Sequence, residues 1–295
     1  MIGIDWGTSS FRAFRLDAAG RVCERRAAPR GILAIEDGRY AEELLRQTGD
    51  WLADGEIQVL MCGMVGSRQG WQEAPYLPCP VGPTDIAASL VPVTFEGADV
   101  LLVPGLTHAD AAGTPEVMRG EETQLAGVLD QIGENGIACL PGSHSKWARI
   151  EVGRIVAFST YLSGEAFAAL RGHTILGRMM RDAPTDLAAF DRGLARSADP
   201  GHLLHHLFGV RTLALFGRLA EPEGASYLSG LLIGHEVRAA LPAAHAAEVH
   251  LVGAAPLCAL YARAVAACGA QPVIHDEDAA ARGLARIGRD ATWTS

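Results

Sequence analysis

MIGIDWGTSSFRAFRLDAAGRV (1–22) and IACLPGSHSKWARIEVGRIVAFST (137–160) are the two stretches on which the reading of the fold turns. In the first, Met1 to Ile4 is an apolar strand. Gly7-Thr8-Ser9-Ser10 punctuates it, and Phe11 to Leu16 returns with large apolar residues alternating with Arg12 and Arg15. In the second, Ile137 to Leu140 is again a short apolar strand, Pro141-Gly142-Ser143-His144-Ser145 a turn, and Lys146 to Ile150 an alternating return. Gly20 and Gly153 then close the next hairpin in each. The spacings differ by a couple of residues, so this is a repeat of pattern and not of sequence. It predicts two similar halves, 1–132 and 133–295.

Further strands are expected at Ile57 to Met61, Asp99 to Val103, Arg154 to Thr160, Val249 to Val252 and Pro272 to His275. Helical spacing is read at 121–132, 163–181, 201–218, 226–241, 257–268 and 277–287. Pro75, Pro78, Pro80 and Pro83 exclude regular helix or central strand from their stretch, and 183–200 reads as a polar loop. Strands alternating with helices make this an α/β protein.

The chain has 295 residues, 49% of them hydrophobic and 20% charged, an ordinary globular balance. A formal charge of -9 argues against nucleic acid or an anionic membrane as partner. Cysteines at 23, 62, 79, 139, 258 and 268 form no C-x-x-C pair, which reads as reduced thiols. With no secretory signal and no apolar run long enough to span a membrane, a cytoplasmic protein is expected. The sequence does not set an oligomeric state and leaves a homodimer open.

Asp5-x-Gly7-Thr8-Ser9 places a carboxylate at a strand end, where it can hold a divalent cation through water. The small residues after it let backbone N–H groups approach phosphate. The same pattern is also a common strand-end turn. Gly142-Ser143-His144-Ser145-Lys146 offers hydroxyls, backbone donors and a cation in a second turn. It is not a Walker A loop, and no G-x-G-x-x-G follows a strand. Gly253-Ala254-Ala255 after an apolar strand suits close approach to a nucleoside, or simply a packed β–α turn. His202, His205 and His206 share a helical face, but no carboxylate or cysteine accompanies them, so a helix face is read there and not a metal site.

Taken in order, Ile-Asp-Trp-Gly-Thr-Ser, Pro-Gly-Ser-His-Ser-Lys-Trp and Leu-Val-Gly-Ala resemble the two phosphate signatures and the adenosine signature of the actin-like ATPase and sugar-kinase superfamily. CGMVGSRQGWQEAPYLPCP (62–80), MRGEETQLAGVL (118–129) and LPGSHSKWARIEVGRIVAFSTYLSGE (140–165) resemble the 2-dehydro-3-deoxygalactonokinase family more narrowly, and the likeness runs from residue 2 to about 287. Gly253-Ala254 stands where the wider superfamily commonly has Gly-Gly. The resemblance implies two actin-like (ribonuclease H-like) domains flanking an interdomain nucleotide cleft. It also implies ATP- and Mg2+-dependent transfer to the 6-hydroxyl of 2-dehydro-3-deoxy-D-galactonate in galactonate breakdown. Asp5 would hold the metal. Gly7, Thr8, Ser9, Gly142, Ser143, His144, Ser145, Lys146, Gly253 and Ala254 would bind the nucleotide.

Hydroxyl phosphorylation also needs a group to take the hydroxyl proton. Glu121 and Glu122 open a helix after Gly120, where related sugar kinases carry an acidic base. Glu122 is preferred on the resemblance and Asp110 is held in reserve, although glutamates in a first helical turn are common through the helix dipole alone. Ser67, Arg68, Gln69 and Trp71 are expected to line the substrate pocket, the arginine forking a carboxylate and the indole covering the sugar chain. Arg119 is a second cation near the expected base. Either arginine could equally make a surface ion pair. Two other readings stay open: a kinase of this fold for another small sugar or sugar acid, and a nucleotide-binding regulator that transfers nothing.

Overall fold

A computed structural model describes residues 1–241 and 248–294. β1 (Ile2–Trp6) is buried along its whole length, as a strand with a neighbour on each side and a layer on each face must be. It pairs antiparallel with β2 (Phe11–Leu16), and β2 with β3 (Val22–Ala28). After α1 (Tyr40–Ala53), β4 (Gln58–Cys62) adds parallel to β1 on the other side. The chain then forms β5 (Tyr76–Pro78), α2 (Pro83–Ala87) and β6 (Val91–Val93). β7 (Asp99–Leu102) follows, parallel to β4 and antiparallel to β6. The resulting order is β3-β2-β1-β4-β7-β6. A small sheet joins β5 to β8 (Gly105–Ala109) and β8 to β9 (Pro115–Met118), and α3 (Glu121–Ala126) and α4 (Leu129–Ile132) come next.

The chain then begins the same plan again. β10 (Gly136–Leu140), β11 (Ser145–Glu151) and β12 (Arg154–Tyr161) open the second half. α5 (Ser163–His173), α6 (Leu187–Arg196), α7 (Leu203–Leu215) and α8 (Gly224–Ala240) lead to β13 (Glu248–Leu251). α9 (Ala255–Ala267), β14 (Gln271–Ile274) and α10 (Ala279–Arg289) complete the chain. The second sheet runs β12-β11-β10-β13-β14, with β13 parallel to both β10 and β14. In both sheets the order is third, second, first, then later strands, three in the first sheet and two in the second. This duplicated order is the actin-like architecture that the resemblance implies, built on the two similar halves expected from the paired hairpins.

By contacts the chain divides into two compact units. Unit 1 takes 1–136, 148–158 and 275–295, and unit 2 takes 137–147 and 159–274. The expected junction after residue 132 lies four residues before the first crossing. Unit 1 is built on Ile2, Ile4, Trp6, Phe11, Val59, Met61, Val100 and Leu102, with Leu44 and Trp51 of α1 packed on them. Unit 2 is built on Cys139, Val249 and Leu251, with Phe190, Ile233, Val237, Tyr261 and Val265 from the helices.

Several expectations are corrected. Residues 183–200 are not all loop, because α6 lies within them, N-capped by Asp186, whose side chain accepts from Ala189 N at 2.9 Å. Its buried face, Ala189, Phe190, Gly193 and Leu194, has helical spacing, but the helix is short and its other face is charged. The helix read over 121–132 breaks at Gly127. A Cβ there would lie 2.0 Å from Ala279 O of α10, so the break follows the line of that contact. Helix 163–181 ends at His173. The strand β3 is present in the sequence reading only as the hairpin closed by Gly20, and the helix α1 and the small sheet have no counterpart there.

Candidate active site

β1 carries Asp5 to the edge of the first bend, where it is buried and its Oδ2 accepts from Arg12 at 2.5 Å. Burial raises the Asp5 pKa, and the charge of Arg12 pulls the other way. The bend is closed by Gly7 N donating to Ser10 O at 2.9 Å. It is backed by residues 31–33, with Ile32 N donating to Gly7 O at 3.0 Å and Leu33 N to Thr8 O at 3.2 Å. Gly31 is obligatory in that contact: a Cβ would stand 2.3 Å from both Thr8 O and Ser9 N. Thr8 and Ser9 are exposed at the tip.

Beside Asp5, Gly63 holds a left-handed φ of 91° and Gly120 one of 105°. A Cβ on Gly63 would be 3.3 Å from Asp5 Oδ1, and one on Gly120 would be 3.2 Å from Gly63 Cα. These two glycines bring the head of α3 against the end of β1. Glu122 is fully buried there, its Oε2 accepting from Gly120 N at 2.7 Å and its Oε1 from the Thr123 hydroxyl at 2.9 Å. Burial, reinforced by the charge of Glu121, pushes its pKa up to about 7. The Cys62 thiol feels both Asp5 and Glu122, which together with its burial push its pKa well up. Glu121 is half-buried and accepts from Arg119 N at 3.0 Å. Asp110 is exposed and closes its own turn, accepting from Ala112 N and Thr114 N, each at 2.8 Å.

The two arginines differ sharply. Arg119 is only 9% exposed, Nη2 donating to Ala74 O at 2.7 Å and the guanidinium lying 4.4 Å over the Tyr76 ring. Its Nε and Nη1 have no hydrogen-bond partner among the described residues, and neither has the buried Ser67 hydroxyl. Arg68 is 87% exposed with Glu73 at 3.5 Å. Gln69 is exposed too, and its carbonyl accepts from the Tyr40 hydroxyl at 3.0 Å. Trp71 stacks on Tyr40 (6.1 Å between centroids, 11° between planes) and meets Phe95 edge-on, on the rim of the first core.

In unit 2 the bend at 141–144 follows β10, and Gly253 follows the neighbouring β13. Val252 N donates to Cys139 O at 3.0 Å, and a Cβ on Gly253 would lie 3.6 Å from Pro141 O, so bend and turn adjoin. Ala254 caps α9, its carbonyl accepting from Leu257 N and Cys258 N at 3.1 and 3.0 Å. The start of α5 passes beneath the bend, Glu165 N donating to Ser143 O at 3.0 Å. Gly164 makes that approach feasible, since its Cβ would be 2.4 Å from Gly142 O. Ser143 and His144 are exposed, with His144 Nε2 2.6 Å from Glu165 Oε2 and Nδ1 3.2 Å from the Ser143 hydroxyl. Ser145 points inward, fully buried, its Oγ 2.8 Å from the Tyr261 hydroxyl, and Lys146 is buried next to it. Tyr261 also walls a cavity of about 290 Å³ that Gly142, Phe167, Ile233, Leu257 and Leu260 share, with Ser163 and Ser229 among its polar edges.

A carboxylate at one strand end, an acid held near neutrality, and a glycine bend opening on an apolar cavity are what phosphoryl transfer asks for. The profile of the 2-keto-3-deoxy-galactonokinase family matches residues 5–287. The chain belongs to that family. It is a sugar-acid kinase, and a kinase implies ATP. A Rhizobium meliloti (strain 1021) protein described as a probable 2-dehydro-3-deoxygalactonokinase is 35% identical over 297 residues, covering 98% of this chain and 96% of its own. The Escherichia coli (strain K12) 2-dehydro-3-deoxygalactonokinase is 34% identical over 271 residues, 91% of this chain and 90% of that one. A crystal structure of a Sinorhizobium meliloti protein provisionally described the same way has a TM-score of 0.90 at 33% identity, over 98% of both chains.

The kinase's inner polar residues went unread in the sequence. Glu236 and Tyr261 lie in apolar helices, and Ser163 and Gly164, at the end of the family-like segment 140–165, were given no role. One signal was available: Glu236 is a lone acid in the otherwise apolar face of YLSGLLIGHEV (227–237), and a buried acid requires partners. No helix among the described residues is long and apolar enough to cross a membrane.

Proposed function

We propose that the kinase transfers the γ-phosphoryl group of ATP to the 6-hydroxyl of 2-dehydro-3-deoxy-D-galactonate, giving the 6-phosphate and ADP. The observation that carries this reading is the buried, near-neutral carboxylate of Glu122 in the same unit as a buried guanidinium, Arg119, two of whose nitrogens have no hydrogen-bond partner among the described residues. Glu122 takes the hydroxyl proton as the oxygen attacks the γ-phosphorus and the bond to the β-phosphate oxygen breaks. Its pKa of about 7 leaves a substantial ionised fraction at neutral pH while keeping it basic enough to accept the proton. The substrate hydroxyl reaches Glu122 once the residues covering it part, whereas the half-buried Glu121 needs less movement. Glu121 is therefore the second candidate.

Arg119 and Ser67 are assigned the substrate carboxylate. Leaving buried donors unpaired costs about 1–3 kcal/mol each, and a carboxylate would satisfy them in a forked geometry. Arg68, Gln69 and Trp71 support the loop around that position. Mg2+ is assigned to Asp5, a single carboxylate at a strand end beside the glycine bend, because Mg2+ is commonly held by one or two carboxylates with water and substrate phosphates. When bound it would neutralise charge on the phosphates. Each unit is assigned a phosphate-binding bend, Gly7-Thr8-Ser9 in one and Gly142 to Lys146 in the other, and the nucleoside is assigned to the cavity beside Gly253 and Ala254.

An ADP-release assay across several sugar acids tests this. Turnover should be greatest with 2-dehydro-3-deoxy-D-galactonate and should require Mg2+. Better turnover with the gluco epimer or another sugar would reassign the substrate. No substrate-stimulated release with any of them would leave a nucleotide-binding regulator.

A further inference from the structure

The groups behind the second bend form a single cluster. Glu236 is buried and takes Trp147 Nε1 on Oε1 at 2.8 Å and the Tyr261 hydroxyl on Oε2 at 2.7 Å. Ser163, on the wall of the cavity, also donates to this carboxylate. The Tyr261 hydroxyl donates to Glu236 and lies 2.8 Å from Ser145 Oγ. Ser145 in turn meets the bend, with Gly142 N at 3.5 Å and Gly142 O at 3.4 Å, and also bonds the Glu236 carboxylate. The hydroxyl of Ser145 thus joins the bend to the tyrosine and the carboxylate, and Glu236 is the buried end of the cluster.

Tyr261 has two faces in this arrangement. Its ring walls the cavity, and its hydroxyl bridges Ser145 and Oε2, while Ser145 also bonds the Glu236 carboxylate directly. We propose that Tyr261 and Glu236 are positioning residues that couple the nucleoside cavity to the phosphate bend, so that a nucleoside seated against the ring stiffens the backbone at Gly142 that meets the phosphates. Neither residue touches the reacting atoms. The inference rests on the nucleotide assignment above. In this arrangement the Ser145 hydroxyl is occupied as a strut, and the phosphates are met by the backbone of the bend and by the exposed Ser143.

Calorimetric binding of adenosine and of a non-hydrolysable ATP analogue to the full chain, without sugar acid, tests the coupling. Tyr261→Phe keeps the ring wall and removes the tyrosyl link. It should weaken the ATP analogue roughly tenfold, the worth of one charge-assisted hydrogen bond, and leave adenosine binding unchanged. Ser145→Ala, which removes both routes to the carboxylate, should give the same split at least as strongly, and the double variant should be no worse than Ser145→Ala alone. Glu236→Gln should resemble both where it folds, and Tyr261→Phe carries the test where it does not. Equal losses for adenosine and the analogue, no loss for either, or additive losses in the double variant would each overturn the coupling. If the wild-type chain bound the ATP analogue but phosphorylated no sugar acid, the substrate reading would fail and the coupling would be judged on the same binding data. If the wild-type chain bound neither adenosine nor the analogue, both would fail.

Discussion

The two sheets begin with a shared strand order but hold their bends differently. In unit 1 the bend after β1 is tied through backbone: Gly7 to Ser10, with residues 31–33 beneath and Gly31 pressed against Thr8 and Ser9. In unit 2 the bend after β10 has a backbone tie too, Glu165 N to Ser143 O, and adds side chains from inside, Ser145 to Tyr261 and Glu236. The strand ends differ too. β1 delivers a carboxylate, Asp5, whereas β10 ends in Cys139 and Leu140. A repeated fold therefore does not repeat its chemistry. The first unit sets two buried acids, Asp5 and Glu122, near a buried arginine, and the second offers a largely apolar cavity and a braced turn.

That division can be broken most severely at Glu122. Glu122→Gln should cut kcat by about 10²–10⁴ and leave binding of an ATP analogue intact, with turnover in single-cycle assays as the measurement. A variant with near-normal kcat would pass the role to Glu121. The same carboxylate governs a pH effect. Its folded pKa is raised from 4.5 to about 7, so its contribution to stability is complete below about 4.5 and is lost as pH rises through about 7. The loss is on the order of 3 kcal/mol at about 1.4 per unit. Denaturation across pH 5 to 8 should show it in the parent and a flat profile in Glu122→Gln, while wild-type kcat rises over the same range as the base ionises.

The contrast between the arginines gives a smaller effect. Arg119→Ala should raise KM for the sugar acid roughly ten- to a hundredfold with KM for ATP unchanged, since a charged donor pair is lost. Arg68→Ala, which breaks only a surface pair, should shift the acid KM by less than about threefold. Equal shifts in both constants would mean damage to the fold and not to the pocket.

The smallest test compares the bends directly. Gly31→Ala and Gly164→Ala each drive a Cβ into the backbone of one bend, and each should destabilise by about 1–3 kcal/mol. Both should raise KM for ATP several-fold and spare KM for the acid. Should only one do so, that bend alone meets the nucleotide.

What could be read beforehand follows from this physics. The hairpins at 1–22 and 137–160 were legible because apolar strands broken by glycine and serine leave few alternatives. The head of α3 was legible because Gly120-Glu121-Glu122 precedes an apolar face. Burial was not. Sequence cannot say that Arg119 is covered while Arg68 is exposed, nor that Ser145 turns inward while Ser143 turns out, because neighbouring residues differ only in which way the backbone faces them. Trp71 reads as a pocket lid or as a core residue with equal ease, and it stacks on Tyr40. α6 escaped because its buried stripe is two turns long and half of it is alanine and glycine.

The contact between α3 and α10 has a consequence for how the protein is made. Gly283 of α10 lies so close to α3 that a Cβ would stand 1.8 Å from Thr123 O, and Arg282 Nε donates to Gly127 O at 3.1 Å. Leu284 packs on Gly3 of β1 as well. The helix α3 thus lacks its support until α10, which follows the whole of the second unit in the chain, has been made. A nascent chain stalled between residues 274 and 279 would carry the second unit's sequence complete and α3 still unsupported.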